Sequence, residues 1–287
     1  MNPEVLVNIC ITAYNIEKYL SECLDSILKQ KVNFKYNIII GEDRSTDSTM
    51  SICKKYEKEY SNVIIYQNEK NLGNMMNMIA TLSKCKSKYI ALMDGDDLWI
   101  SENKLQSQID FLENNSQYSL CFHDAKICNE DLSFKYLYSD RFKGRNYEIP
   151  YSLHQLVKWR ILGATSSIVF RNQYLEYPFW VKNLYGPDAF IFFYCYSFGK
   201  IKYFNEVMSI YRVHSGSTDR SYSKIKLAER NVMEYNTYRT VLSPSMKLYF
   251  FRKLFRNYFY IIYLNIRNNN FLAAFSAFGK MIRFRNF

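Results

Sequence analysis

Three carboxylates, Asp94, Asp96 and Asp97, close a short apolar run, K-Y-I-A-L-M-D-G-D-D-L-W from Lys88 to Trp99, with Gly95 between the first two. Two carboxylates two residues apart can hold a hard cation such as Mg²⁺ or Mn²⁺ when that ion also takes oxygens from a diphosphate. Those metals prefer oxygen ligands and keep positions open for a substrate. The same residues can form an Asp-rich turn that caps the next helix, and the run alone leaves both readings open. Further on, Tyr211-Arg212-Val213-His214-Ser215-Gly216-Ser217 sets one of the three histidines beside a guanidinium. His214 suits a metal or phosphate contact and equally a satisfied loop position. Gly186-Pro187-Asp188 places another acid ahead of a hydrophobic helix, where it can serve as a base or an N-cap.

The elements that must position these groups follow from periodicity. Val5 to Thr12 and Tyr36 to Gly41 read as strands, as do Val63 to Tyr66 and the run from Lys88 to Asp94. Between them, apolar residues at Ile16, Tyr19, Leu20, Cys23, Leu24, Ile27 and Leu28 recur at helical spacing. Helices are also predicted after Asp47, where Ser45 or Thr46 caps, and over about Asn74 to Cys85. Strand-helix units of this kind predict a parallel, right-handed α/β sheet whose loops share one edge, where open sheets bind ligands. Four polar turns then converge there: Thr12 to Asn15, Glu42 to Asp47, Asn68 to Gly73, and Asp94 to Asp97. A helix over Asn103 to Asn114 follows. Short antiparallel pieces are predicted from Tyr118 to Tyr151, then a strand ending at Phe170, a helix over Asp188 to Phe198, and strands at Ile201 to Phe204 and Val207 to Tyr211. Ser243-Pro244 opens a helix to about Arg267, broken at Asn268 to Asn270 before a shorter one.

Composition excludes several classes. With 287 residues, 48% hydrophobic and 23% charged, the chain reads as folded and globular. Its first glycine is Gly41, so no G-x-G-x-x-G follows the first strand, and no G-x-x-x-x-G-K-[ST] occurs anywhere. Beyond Glu234 there is no acid but nine basic residues, so most of the +11 net charge sits in an aromatic tail. Such a tail suits anionic lipid headgroups or nucleic acid, or is simply a solvated helical face. The seven cysteines form no C-x-x-C pair and no signal-peptide pattern precedes the first strand, which predicts buried thiols in a reducing cytoplasm. Tyr258 to Leu264 is far short of the ~20 apolar residues of a spanning helix.

In combination and in order, these motifs resemble family 2 glycosyltransferases of the bacterial surface-glycan type. The likeness covers roughly Val5 to Arg220: Thr12-Ala13-Tyr14-Asn15, Glu42-Asp43-Arg44-Ser45-Thr46-Asp47 against the usual D-D-G-S-T-D, Asn71-Leu72-Gly73 with Asn77, the D-x-D at Asp94-Gly95-Asp96, Asp188 for the catalytic acid, and the segment around Arg212 and His214. The resemblance implies a GT-A (Rossmann-like) α/β fold, a mixed, mainly parallel sheet flanked by helices with a C-terminal helical appendage. It implies a domain over 1–220, with a nucleotide-binding half to about 100 and an acceptor half beyond, and a basic helical region over 221–287. Its chemistry is inverting transfer of a sugar from a UDP-sugar to a glycan or lipid-linked acceptor. Thr12, Ala13, Tyr14, Asn15, Asp43, Asn71, Gly73, Asn77, Asp94, Gly95 and Arg212 would hold the donor. Asp96 and His214 would ligate Mn²⁺ or Mg²⁺, and Asp188 would be the base. The expected setting is the cytoplasm, peripheral on the inner membrane face through residues 235–287, with no nucleic-acid partner. The rival readings are a sugar nucleotidyltransferase and a non-catalytic nucleotide-sugar-binding or assembly protein. The chain departs from the pattern at Glu42 for the first aspartate, at Arg44 for a glycine, at Met76 for a basic residue and at Pro187 before the acid.

Overall fold

The computed structural model describes residues 5–142, 163–172, 187–196, 198–216, 223–241 and 244–283. It divides into two compact units, Met1–Tyr177 with Gly186–His214, and Pro178–Tyr185 with Ser215–Phe287. The first unit opens with β1 (Val7–Ala13), β2 (Tyr36–Glu42), β3 (Val63–Gln67) and β4 (Tyr89–Asp94), joined by α1 (Leu20–Leu28), α2 (Thr49–Glu59) and α3 (Asn74–Leu82). The four strands are parallel and lie in the order β3-β2-β1-β4. Every crossover returns the chain in one direction, so all four carboxyl ends share an edge. Register sets Thr12 opposite Gly41 on one side and Asp94 on the other.

The core explains why these strands read as unbroken apolar runs. Val7, Ile9 and Ile11 join Ile38, Ile40, Tyr89, Ala91 and Met93 against Leu20, Leu24 and Ile27 of α1. Leu105, Ile109 and Leu112 of α4 (Lys104–Asn114) complete that cluster. On the opposite face the Cys10 thiol meets Met78 Sδ of α3 at 3.7 Å. Strands covered on both faces keep no polar alternation. Each fully buried Ile or Leu contributes about 1.5–3 kcal/mol by leaving water, so the loop edge rests on a rigid base.

Helix α2 starts at Thr49, later than the predicted cap at Ser45 or Thr46. Those two residues instead tie the turn to the loop after β1. Ser45 Oγ accepts from Asn15 N at 3.1 Å, and Thr46 N donates to Asn15 Oδ1 at 2.8 Å. Asp47 then accepts from Thr49 N and Glu17 N at 2.9 and 3.1 Å, and these hydrogen bonds hold its carboxyl below the usual range although burial opposes them as the largest single effect.

The second half of this unit adds β5 (Leu98–Trp99), α4, β6 (Tyr118–Asn129), β7 (Phe134–Leu137), β8 (Val169–Arg171), α5 (Pro187–Tyr196) and β9 (Lys200–Val213). Strand β8 runs antiparallel to β4 and β6, β9 runs parallel to β6, and β5 antiparallel to β9. The short pieces expected after Tyr118 include one 12-residue strand, and the two strands expected over 201–211 are one of 14 residues. The alternation breaks without ending either strand because Asp124 takes ladder positions. Its carboxylate accepts from Ala125 N at 2.9 Å and from Ser139 N and Oγ at 3.0 and 2.6 Å, where the β6–β9 register shifts.

The second unit contains α6 (Lys224–Val241), α7 (Pro244–Arg267) and α8 (Phe271–Arg283). The break at 268–270 is as expected: Asn269 is left-handed at φ 56° and Asn270 Oδ1 accepts from Ala273 N at 3.2 Å. Helix α6 was not predicted. Its apolar residues surround the axis, with Ala228, Tyr235 and Tyr238 buried but Leu227 and Met233 exposed, so the sequence shows no single stripe. Ser243, the predicted cap of α7, lies outside the described residues. All seven cysteines are buried and free. Among the described residues no helix is long and apolar enough to cross a membrane.

Candidate active site

The end of β4 is a tight turn. Asp97 N donates to Asp94 O at 3.0 Å, and Gly95 N reaches Thr12 O at 3.3 Å. A Cβ at Gly95 would lie 2.4 Å from Ile16 Cδ1 and 3.1 Å from Thr12 O, so close approach demands glycine here. The three acids then separate. Asp94 and Asp96 are partly exposed, and Thr12 Oγ1 donates to Asp94 Oδ1 at 3.5 Å. Asp97 turns inward, where Oδ1 accepts from Arg212 N at 3.0 Å and pins the end of β9 beneath the turn. Burial, then the charges of Asp96 and Asp94, push the Asp97 carboxyl well above the usual range, so crowding of negative charge marks this edge.

His214 Nε2 lies 2.9 Å from Asp96 Oδ2. Its ring stands 4.6 Å from that of Tyr19, whose other neighbour is the Arg212 guanidinium, 4.9 Å from the ring centre. Tyr19 Oη donates to Glu130 Oε1 at 2.6 Å; burial and then this bond push its phenol up to about 12. Arg212 is 5% exposed and donates to Glu22 Oε2 at 2.6 Å. It is therefore neither a solvated charge nor an open one, and it braces Tyr19 and β9. Sequence reading placed Tyr19 on a helix face and passed over Glu22 and Glu130. Only the fold brings the β6–β7 turn to α1, so no local signal marks this group.

A second hub is Asp43, 1% exposed. Its Oδ1 accepts from Asn68 Nδ2 at 2.7 Å and Leu72 N at 2.8 Å, its Oδ2 from Gly73 N at 2.9 Å, and its carbonyl from Asn71 Nδ2 at 3.0 Å. Asp43 N in turn donates to Ala13 O at 2.9 Å. Gly73 begins α3 at φ 79° with open space around a notional Cβ, so backbone conformation alone selects glycine. Asn77 is buried and spans Gly41 O and Asn68 Nδ2, both at 2.9 Å. Arg44 adopts the left-handed region at φ 63°, a strain of about 1–2 kcal/mol. Glu42 offsets it by accepting from Arg44 N at 3.3 Å and Ser45 N at 2.6 Å. Tyr14 is 46% exposed beside this hub.

Behind the turn, Trp99 donates Nε1 to Ser166 O at 2.8 Å and carries Lys104 Nζ 3.8 Å from its ring centre. Lys104 is fully buried, and burial pushes its pKa down to about 7 from 10.5. Between those values the unfolded chain binds one more proton than the fold, so this group makes stability rise with pH above 7. Lys104→Met is expected to stabilise the protein at pH 7 and to reduce that rise. By urea denaturation, its advantage over wild type should narrow by ~1.5 kcal/mol on going to about pH 8.5, below the range where the raised buried thiols pull the other way.

Thr12, Ala13, Asn15, Asp43, Asn71, Gly73, Asp94, Gly95, Asp96 and His214 thus lie at strand ends and the loops that follow them, with Asn77 in the first turn of α3 and Arg212 next to the last residue of β9. Asp188 stands in the first turn of α5; its side chain, and Gly186, Ser217 and Arg220, lie outside the described residues. Among the described residues no three His, Cys, Asp or Glu side chains converge on one point. Asp96 and His214 alone would leave a cation most of its positions for water and ligand oxygens, which fits an ion held jointly with phosphates.

A mainly parallel sheet with acids at the carboxyl end of a central strand defines an α/β protein that meets its ligand at that edge. The chain matches the Glycosyl transferase family 2 model over residues 8–167 and belongs to that family. It is 29% identical over 214 residues to an uncharacterized protein of Mycobacterium tuberculosis, covering 73% of this chain and 59% of that one. It is 35% identical over 116 residues to the poly(ribitol-phosphate) beta-glucosyltransferase of Bacillus spizizenii, covering 40% and 18%. The fold is the GT-A fold of solved relatives. S. aureus TarS 1–349 in complex with UDP-GlcNAc superposes with a TM-score of 0.59 at 14% identity, covering 98% and 92%. The mannosyltransferase PcManGT of Pyrobaculum calidifontis, in complex with GDP-Man and Mn²⁺, gives 0.61 at 13%, covering 96% and 75%.

Proposed function

We propose that the chain is an inverting, metal-dependent glycosyltransferase that moves a sugar from a nucleotide-diphosphate donor, a UDP-sugar, to a glycan or lipid-linked acceptor in bacterial surface polysaccharide or glycoconjugate synthesis. The observation that carries this reading is the Asp96–His214 pair, 2.9 Å apart at the carboxyl end of β4 in a chain of this family. Glycan synthesis draws on the poly(ribitol-phosphate) glucosyltransferase activity of the Bacillus spizizenii relative, and the donor class on the nucleotide sugars bound by the two solved neighbours.

Asp96 and His214 would hold Mn²⁺ or Mg²⁺, which supplies charge neutralisation for the departing diphosphate. Asp43, whose Oδ2 accepts from Gly73 N, would also accept from the uracil N–H of the donor, beside exposed Tyr14. Thr12 and Asp94 face the ribose, while Asn71 and Gly73 shape the wall. Arg212 and Asn77 act by bracing. Asp188 accepts the proton of the acceptor hydroxyl as that oxygen attacks the anomeric carbon from the face opposite the diphosphate, which inverts the centre. These roles belong to a catalytic domain over 1–220, working on the cytoplasmic membrane face through the tail at 235–287 without nucleic acid.

A thermal-shift panel of nucleotide sugars with Mn²⁺ tests the reading. A UDP-sugar is expected to raise the melting temperature most and only with metal; no response to any nucleotide sugar would reject it. Tyr19 is a positioning residue in this scheme. Tyr19→Leu is expected to raise the Mn²⁺ concentration for half-maximal transfer about 10-fold, with kcat at saturating metal near wild type, whereas Tyr19→Phe keeps the ring and shifts it less.

A further inference from the structure

Helix α8 is built inside out for a solvated helix. Its small or slender residues Ala274, Ala277 and Met281 face inward, with Ala277 against Ala228 and Ile261. Its large ones face outward: Phe271 is 64% exposed, Leu272 89% and Phe275 78%, with Phe278 and Ile282 continuing the stripe. Spacings of four, three and four residues keep Phe271, Phe275, Phe278 and Ile282 on one side. A soluble helix reverses this pattern, and a contiguous exposed apolar stripe marks a surface that is covered in use.

Charge identifies what covers it. Lys280 and Arg283 are exposed in the last turn of α8, and no acid follows Glu234 in the sequence. In α7, Arg256 lines a shallow depression of about 440 Å³ with Asn257, Phe259 and Tyr260, and Tyr263 and Ile266 are also exposed. A second copy meeting this face through a two-fold axis would set cations opposite cations. Nucleic acid would answer the charge and leave the Phe and Leu side chains in water. An anionic bilayer answers both, with apolar side chains in the acyl boundary and Lys and Arg at the headgroups.

We infer that the outer face of α8, led by Phe271, Leu272 and Phe275 with the exposed cations Lys280 and Arg283 in its last turn, docks in the plane of an anionic lipid surface. The inference deepens the membrane-face part of the proposed function. It is read without turnover, so it fails or holds separately from sugar transfer.

The test is sedimentation of the full chain with vesicles of phosphatidylcholine alone or with about a quarter phosphatidylglycerol. Wild type is expected to sediment with the anionic vesicles and far less with the neutral ones. Leu272→Ser/Phe275→Ser leaves the inward residues intact, and its fold is checked by circular dichroism. It is expected to lower partitioning at least ~10-fold. Lys280→Glu/Arg283→Glu is expected to cost on the order of 5-fold or more per charge on anionic vesicles only. Absence of wild-type binding, or binding unaltered in the Ser variant, would overturn the proposal. So would a vesicle-free wild-type dimer in ultracentrifugation, or retention on an RNA oligonucleotide, that the Ser variant abolishes.

Discussion

Asp96→Ala is expected to lower sugar transfer by about 10²–10³-fold while leaving the folded protein intact. The loss corresponds to the several kcal/mol that a cation beside a departing diphosphate contributes. The fold tolerates the change because Asp96 lies partly exposed at the turn and, among the described residues, its carboxylate meets His214. The turn itself is held by Asp97, through Asp94 O and Arg212 N. Removing Asp96 also takes away the larger of the two charges that, after burial, raise the Asp97 carboxyl. Chemical denaturation should therefore place Asp96→Ala close to wild type, while a coupled assay for released nucleotide shows the loss. Undiminished transfer would remove the metal from the scheme.

Asp188→Asn is expected to show the complementary pattern. Asparagine keeps the shape and cannot accept the acceptor's proton, so transfer should fall by about 10²–10⁴-fold, the range for a positioned base. UDP binding measured by calorimetry should stay at wild-type strength, since the proposed nucleotide contacts lie at the ends of β1, β2 and β4 and none is assigned to Asp188. A variant that transfers normally would leave Asp188 only a first-turn residue of α5, and one that loses UDP binding would place it in the donor site.

The parallel half of the sheet was legible because β1, β2 and β4 are largely buried on both faces and each connection carries a helical repeat. Its edge was legible because Asp43, Gly73 and Gly95 are selected by backbone geometry that leaves its mark on residue type. At Arg44, where the family pattern has glycine, the turn keeps the left-handed backbone at φ 63°, with Glu42 accepting from Arg44 N and Ser45 N. What could not be read depends on pairing distant in sequence. Tyr19 meets Glu130 across 111 residues and Arg212 meets Glu22 across 190, and neither pair leaves a local pattern. The 14-residue β9 reads as two strands because the polar pair Asn205-Glu206 interrupts its apolar run, and the pairing with β6 skips those two residues without ending the strand. Helix α6 was missed because its apolar residues lie on all sides.

The central claim is that a nucleotide diphosphate and a divalent cation share the Asp96–His214 edge. Titration of UDP into the protein by calorimetry, with and without Mn²⁺, tests it most directly. The account predicts that Mn²⁺ tightens UDP binding at least ~10-fold in the wild type and by little in Asp96→Ala. Equal UDP affinity with and without Mn²⁺ in the wild type, or Mn²⁺ enhancement preserved in Asp96→Ala, would contradict it.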